Sequence, residues 1–197
     1  MFNNIINVLI LRKRGDFMEK NYSSCCFTGY RPEKFPFPLD SENPDFQKFE
    51  NALFEQGLCL AEAVGRTFYC GMAMGFDIIS AETVLAVKNA FSEPLKLICV
   101  LPFKKQSLSF SNNWKQRFDT VLSGADETVV LSEKYHNGCY QQRNIYMVDS
   151  SDYVITWFDG KSGGTQNTLR YAKKRGRHIF NIYENPESGC FQEEIVL

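Results

Sequence analysis

The stretch TFYCGMAMGFD, residues 67–77, predicts a β-strand that turns directly into an α-helix. Its apolar start, Thr67 to Cys70, suits a short strand, and Gly75 to Ala90 repeats apolar residues at helical spacing. Gly71 and Gly75 stand at the junction, where glycine allows backbone amides to approach a ligand closely. The start of a helix favours an anion, because its free N–H groups and its dipole both attract negative charge. The junction is therefore a candidate phosphate site, although a tight turn alone explains the same glycines.

A second glycine cluster, DGKSGGT at residues 159–165, has the same arrangement. It follows the apolar run Tyr153 to Trp157 and opens a predicted helix from Thr165 to Lys174. Gly163 and Gly164 leave room for a ligand, and the Thr165 hydroxyl can cap the helix and donate to a phosphate oxygen. Two such junctions in one domain predict a site for a nucleotide or another phosphate-bearing molecule. The alternative is a flexible turn followed by a helix cap.

The rest of the chain alternates between strand-like and helix-like segments. Strands are predicted at Ser24 to Thr28, Thr67 to Cys70, Leu95 to Leu101, Thr128 to Leu131, Tyr153 to Trp157 and His178 to Tyr183. Helices are predicted at Pro44 to Val64, Gly75 to Ala90, Asn112 to Leu122, Tyr140 to Val148 and Thr165 to Lys174. This alternation indicates an α/β fold whose parallel sheet is covered on both faces. Ligands of such folds bind beyond the carboxyl ends of the strands.

Further residues of interest lie directly after predicted strands or at helix starts. Arg31 follows the first strand and is placed for an anion contact, while Arg143 can bind phosphate through two parallel hydrogen bonds, with a surface charge as the alternative. Asp77 can cap its helix, interact with the helix dipole or accept a hydrogen bond from a ribose hydroxyl. The predicted ligand-binding residues are Thr28, Gly29, Arg31, Gly71, Gly75, Asp77, Pro102, Arg143, Asn144, Gly163, Gly164 and Thr165.

Length and composition restrict the class of protein. The 197 residues fit one domain, and a formal net charge of -1 gives no overall basic field for nucleic acid. The seven cysteines, an odd number placed mostly in apolar runs, are typical of reduced thiols in the cytoplasm. We expect Cys25, Cys70 and Cys99 to be buried. With two histidines and no CxxC pair, no metal site is predicted, and no cofactor is assigned.

The first residues differ in character from the rest. An apolar run before Arg12-Lys13-Arg14 has its charges in the reverse order to a signal peptide, and it is shorter than the roughly 20 residues of a membrane span. We therefore expect no membrane association. Residues 1–17 are interpreted as a translated leader or a disordered extension, with Met18 as the true start. The single domain is then residues 18–197.

Several motifs occur in an order that resembles a known family. They are CFTGYRPEK at 26–34, GMAMGFD at 71–77, LPF at 101–103, Arg143-Asn144 through Asp149, and GGT at 163–165 with Tyr171-Ala172. Together they resemble the YpsA-like family of the SLOG superfamily, over almost the whole chain from Ser23 to Ile182. The resemblance implies a three-layer Rossmann-like fold with a mostly parallel sheet flanked by helices. It also implies a nucleotide or nucleotide-derived ligand.

Two related families suggest different activities. The stretch Gly71 to Ile78, the pair Arg143-Asn144 and Ser162 to Gly164 are similar to motifs of the DNA-processing protein DprA, which implies binding of single-stranded DNA. Gly164-Thr165 is similar to part of the PGGxGTxxE signature of LOG-type phosphoribohydrolases, which implies cleavage of nucleoside monophosphates. In that alignment Thr168 stands where the signature has its glutamate, and threonine supplies no carboxylate to the reaction.

The function that we predict is binding of a nucleotide-like small molecule at the C-terminal edge of the sheet, in the cytoplasm. The first alternative is an N-glycosidase of the LOG type, for which no catalytic residue is assigned. The second is single-stranded DNA binding, with the basic run Arg170 to Arg177 as a polyanion surface or as a complement to the helix dipole. A homo-oligomer remains open.

Overall fold

The computed structural model describes residues 24–63, 67–90, 95–184 and 191–192, and these ranges contain one sheet and five α-helices. The strands are β1 (Ser24–Thr28), β2 (Thr67–Cys70), β3 (Lys96–Leu101), β4 (Glu127–Val130), β5 (Tyr153–Thr156), β6 (His178–Glu184) and β7 (Phe191–Gln192). The α-helices are α1 (Pro44–Ala63), α2 (Phe76–Ala90), α3 (Asn112–Gly124), α4 (Cys139–Asp149) and α5 (Gly164–Lys174). The predicted leader, residues 1–17, lies outside the described residues, as does Val64.

The strand order is β4-β3-β2-β1-β5-β6-β7, in which β1 to β6 are parallel and β7 is antiparallel to β6. This confirms the predicted α/β fold, a Rossmann-like parallel sheet flanked by helices. Neither the two-residue β7 nor the short 3₁₀ helices at Pro32–Lys34 and Gln106–Ser109 was predicted. The predicted ranges of β1 and β2 match the observed ones, and those of the other elements differ by at most two residues at either end.

The strand order reverses at the centre of the sheet. Cys25 of β1 pairs with Phe68 of β2 on one side and with Tyr153 of β5 on the other. From β1 the chain therefore builds outward to β4 and then returns to the opposite side of β1. In sheets of this kind the crevice beyond the carboxyl ends at the reversal is where ligands bind. The loops that follow β1 and β5 flank this crevice.

The core explains why these segments form strands. In β3 every residue from Leu97 to Leu101 is buried, as expected for a parallel strand covered on both faces. An aromatic cluster around Trp157 fixes the end of β5 to the loop after β1. The Trp157 ring lies 4.8 Å from Phe35 and 5.5 Å from Tyr30, measured between centroids. The two loops beside the crevice are thus held in place by packing.

Five of the cysteines are buried and free. They are Cys25, Cys26, Cys70, Cys99 and Cys139. Burial raises the pKa of Cys26 and of Cys99 to about 12, so these thiols stay protonated and unreactive at neutral pH. The prediction that Cys25, Cys70 and Cys99 are buried is confirmed. Among the described helices, none is both long and apolar enough to cross a membrane.

Candidate functional site

Helix α5 begins at the glycine pair with its first amides uncapped by any side chain. Gly163 is the N-cap residue, and its φ of 152° favours glycine. The Thr165 hydroxyl does not cap the helix as predicted, because it donates instead to the Gly29 carbonyl oxygen at 3.0 Å. That bond ties the start of α5 to the loop after β1. The glycine pair therefore presents free N–H groups at the reversal of the sheet.

Two cations of the loop after β1 lie near the site: Lys34 beside this helix start, and Arg31 over Tyr140 in the first turn of α4. The Lys34 Nζ atom is 2.9 Å from the position that a Cβ on Gly163 would occupy. The Arg31 guanidinium carbon lies 5.7 Å from the centre of the Tyr140 ring. Within the described part of the chain, neither Arg31 nor Lys34 has a carboxylate partner. Uncompensated positive charge thus borders the free amides of α5.

A cavity of about 310 Å³ opens between α4 and α5. It is lined by Gly138, Tyr140, Gln141, Asn144, Ile145, Gly164, Asn167, Thr168 and Tyr171. Asn144 and Gly164 are the predicted binding residues among them. The Asn144 side-chain amide donates to the Thr168 hydroxyl at 2.9 Å, and that hydroxyl donates to the Gly164 carbonyl oxygen at 3.0 Å. The polar lining consists of amides, hydroxyls and phenols.

The other wall of the cavity also begins at a glycine. Gly138, with a φ of 83°, is the N-cap residue of α4 and makes no side-chain cap. Gly138 and Gly164 both line the cavity, so the N-termini of α4 and α5 border the same space. The positive ends of two helix dipoles therefore lie at one cavity, which favours a negatively charged ligand there.

The junction after β2 differs from the start of α5, because side chains fill the space beside its first glycine. Gly71 is buried, and the space that a side chain would fill there is occupied by Arg143. The Arg143 Nη1 atom lies 3.0 Å from the Asp77 Oδ2 atom, and the two side chains are only 5% and 8% exposed. Asp77 also accepts a hydrogen bond from the Ala73 amide at 3.3 Å. The structure thus pairs two predicted binding residues with each other, and their contact with a ligand stays a prediction.

Gly29 and Gly75 allow the loop after β1 to pack against the start of α2. A Cβ on Gly29 would lie 2.3 Å from the Phe76 ring, and Gly75, with a φ of 89°, lies against the Tyr30 carbonyl. The Phe76 amide donates to that same carbonyl oxygen at 3.0 Å. Thr28 and Pro102 are buried at the ends of β1 and β3. These four predicted residues shape the crevice by packing.

Two polar contacts that position the loop after β5 were missed by sequence reasoning. Tyr30 and Lys161 both donate to the Asp159 carboxylate. Burial acts to raise the pKa of Asp159, but the hydrogen bonds from Lys161 and Tyr30 outweigh it and lower that pKa below 3.8. On β6, Asn181 accepts from the Phe158 amide at 3.0 Å and donates to the Phe158 carbonyl at 2.8 Å. An asparagine inside an apolar strand is the one signal for this clamp in the sequence.

Beneath the junction after β2, Gln106 is a further residue that the sequence did not reveal. It is buried and donates to the Met72 carbonyl oxygen at 2.6 Å and to that of Gly71 at 3.3 Å. Met72 has a φ of 57°, an uncommon value for a residue with a side chain. Gln106 therefore supports a strained part of the chain next to Arg143.

Comparison with known proteins places this architecture among bacterial relatives. The model of the family described as YpsA, YspA SLOG family, matches residues 25–183. The SPbeta prophage-derived protein YoqJ of Bacillus subtilis, named as uncharacterized, is 31% identical over 130 residues, which cover 59% of this chain and 75% of that protein. The UPF0398 protein BCB4264_A1614 of Bacillus cereus is 22% identical over 174 residues, covering 85% of this chain and 94% of that protein.

Solved structures of DNA processing protein A (DprA) share the fold at 17% identity. The Streptococcus pneumoniae protein aligns with a TM-score of 0.58 over 85% of this chain, and the Helicobacter pylori protein with 0.55 over 81%. The second structure describes a single-stranded DNA binding mode of that protein. This chain spans 53% and 64% of the two DprA chains, respectively.

Proposed function

This chain belongs to the YspA SLOG family, and on that premise we propose that it binds a nucleotide or nucleotide-derived ligand at the C-terminal edge of its sheet. The ligand's phosphate would contact the free amides of Gly163, Gly164 and Thr165. Its base and ribose would occupy the cavity between α4 and α5.

One observation carries the phosphate assignment. The start of α5 has no side-chain cap, and Lys34 beside it lacks a carboxylate partner among the described residues. A helix N-terminus alone is common, but here Lys34 adds a positive charge next to it, and Arg31 adds another at Tyr140, which lines the same cavity as Gly164. Backbone amides, a helix dipole and nearby cations together form the usual environment of a bound phosphate.

The cavity suits the uncharged part of a nucleotide. Its volume of about 310 Å³ is at the lower end of the range for small-molecule sites. Tyr140 and Tyr171 offer aromatic surface for a base, and Asn144 and Asn167 offer amides for hydrogen bonds. This combination of aromatic rings and amides recognises a base more readily than it recognises an inorganic anion.

The lining favours binding over hydrolysis. The nine lining residues contain no carboxylate, imidazole or thiol. Thr168, at the position where the phosphoribohydrolase signature has glutamate, uses its hydroxyl to bond Gly164 and Asn144. A glycosidase of the usual kind needs carboxylates beside the bond that it cleaves. We therefore propose a binding protein, and the buried free thiols support a cytoplasmic location.

The test is calorimetric titration of AMP, GMP, CMP and UMP into the wild-type protein and two variants at position 164. Gly164→Asp places a carboxylate among the free amides and is expected to weaken binding at least about 30-fold, since like charges in contact cost several kcal/mol. Gly164→Ala is the matched control. An added Cβ there has no protein neighbour within 4 Å, so stability is expected to stay close to wild type, and without an added charge affinity is expected to fall far less than in Gly164→Asp.

The assignment is wrong if no nucleotide binds the wild type, or if Gly164→Asp binds as tightly as Gly164→Ala. Unfolding by urea distinguishes a lost site from a lost fold, because the Cβ that both substitutions add meets no protein atom within 4 Å. Release of free base during the titration would instead support the hydrolase.

The DprA structures favour single-stranded DNA as a second candidate ligand. Arg170, Lys173 and Lys174 are exposed on α5, although Arg175 is paired with Asp149 at 2.7 Å. If DNA binds there, affinity falls steeply with salt, and Lys173→Glu with Lys174→Glu lowers it further. If the affinity for an oligonucleotide changes neither with salt concentration nor with charge reversal at Lys173 and Lys174, single-stranded DNA is excluded as the ligand of this surface.

A further inference from the structure

Three aromatic side chains form a surface cluster next to the cavity, which we name the aromatic platform. Its members are Phe103, after β3, Tyr135, after β4, and Tyr140, in the first turn of α4. The ring centroids of Phe103 lie 5.7 Å from Tyr135 and 6.0 Å from Tyr140, and the two tyrosines are 6.3 Å apart. All three residues follow the carboxyl ends of strands, on the same edge as the proposed site.

The rings of the platform contact one another and are also accessible to solvent. Phe103 meets both tyrosines edge-to-face, a geometry that holds rings in place. Tyr135 is nevertheless 61% exposed, while Tyr140 and Phe103 are half-buried. A rigid and accessible ring of this kind is a surface on which a nucleobase stacks.

Tyr140 connects the platform to the proposed site. It lines the cavity, and its ring contacts the rings of Phe103 and Tyr135. The Arg31 guanidinium lies over the same ring. A ligand that fills the cavity and extends past Tyr140 therefore has both Arg31 and the platform next to it. A cation beside aromatic rings suits a phosphate that carries a second base.

Charge around the platform supports the same ligand. Its two loops, residues 102–105 and 131–138, contain Glu133 as their one carboxylate. Glu133 is paired with Lys104 at 2.7 Å. Lys105 and Lys134 are exposed and have no carboxylate partner in the described part of the chain. The exposed rings are thus bordered by net positive charge, which suits an aromatic group that carries a phosphate.

From these contacts we propose that the ligand is a dinucleotide, with one base in the cavity and the second stacked on the platform. The inference rests on the proposed function, since the first nucleotide must occupy the cavity. The inference adds a second subsite and thereby names the class of ligand: two nucleosides joined through phosphate. The second base contributes affinity by stacking, so little dependence on its identity is expected.

The experiment compares AMP with the 5′-phosphorylated dinucleotide pApA and with pApA that lacks the second base. We expect the wild type to bind pApA about tenfold more tightly than AMP, and the abasic compound to lose most of that gain. Tyr135→Ala is expected to abolish the gain while leaving AMP affinity unchanged, since Tyr135 does not line the cavity. Tyr146→Ala, which removes an exposed tyrosine of α4 outside the platform, is the matched control.

The outcomes separate the two proposals. If AMP binds but pApA gains nothing, or if Tyr135→Ala keeps the gain, the dinucleotide inference is overturned and the proposed function stands. If none of AMP, GMP, CMP and UMP binds, both are overturned. Affinity that continues to rise from pApA to a decamer would also overturn the inference, because it would identify a longer strand as the ligand.

Discussion

Gly71 leaves room for the Arg143 guanidinium, and replacing it with alanine should break a buried ion pair. A Cβ at this position would lie 1.4 Å from the Arg143 Nη1 atom and 2.8 Å from the Asp77 Oδ2 atom. The backbone there is outside the left-handed region, so alanine meets no conformational strain. The guanidinium must move away from Asp77, which leaves a carboxylate buried without its partner. Breaking such a pair costs about 3–5 kcal/mol.

We therefore expect Gly71→Ala to lower the free energy of unfolding by about 3 kcal/mol, or the Tm by about 6–12 °C for a domain of this size. The measurement is urea unfolding followed by circular dichroism. The same substitution is then made in an Asp77→Asn, Arg143→Met background. Methionine ends short of the clashing guanidinium atoms, so alanine at position 71 should cost less than about 1 kcal/mol there.

The resulting coupling of about 2 kcal/mol is the diagnostic quantity. Gly164→Ala serves as the control for an alanine that meets no neighbour, and it should leave stability unchanged. If Gly71→Ala costs the same in both backgrounds, Arg143 is not the reason for the glycine. The packing explanation for Gly71 would then be wrong, and a direct contact between Gly71 and a ligand would be the better explanation for the glycine.

Two further predictions concern the loop after β5. Asn181, which is 1% exposed, bonds both the amide and the carbonyl of Phe158, and Asn181→Ala removes both hydrogen bonds. We expect the free energy of unfolding in urea to fall by about 2–4 kcal/mol. A decrease of less than about 1 kcal/mol would contradict the clamp. Asp159 has a lowered pKa, so its carboxylate stabilises the fold above pH 3.8, and this contribution is lost as pH falls through the lower pKa of the folded state. Tyr30→Phe should move that pKa upward in a carboxyl-carbon NMR titration, and an unchanged titration would show that Tyr30 contributes nothing.

The strands and their edge were predictable because the signals are local. Each of β1 and β2 is a short apolar run that ends next to a glycine, and both observed ranges match the predicted ones. The alternation of strand and helix patterns was enough to indicate a parallel sheet and the edge at which its loops gather. The start of α5 beside Gly163 and Gly164 was also predicted, to within one residue.

The interior contacts of the site were not predictable, because they join distant parts of the chain. Asp77 and Arg143 are 66 positions apart, and Thr165 and Gly29 are 136 apart. In the sequence, nothing distinguished a glycine of a phosphate-binding loop from a glycine that leaves room for an arginine side chain. Thr165 had the position of a cap, but the carbonyl that its hydroxyl bonds belongs to another loop. The cavity depends on how α4 and α5 lie together, which no periodicity encodes.

The central position of β1 has a bearing on the order in which the protein assembles. During synthesis β1 emerges early, yet its second neighbour, β5, ends only at Thr156. Until then one side of β1 has unpaired backbone groups, a known route to aggregation. The cavity needs α5 as well, so a ligand can stabilise only the finished domain and cannot assist earlier stages of folding. The sheet can therefore close on both sides of β1 only after β5 has been made.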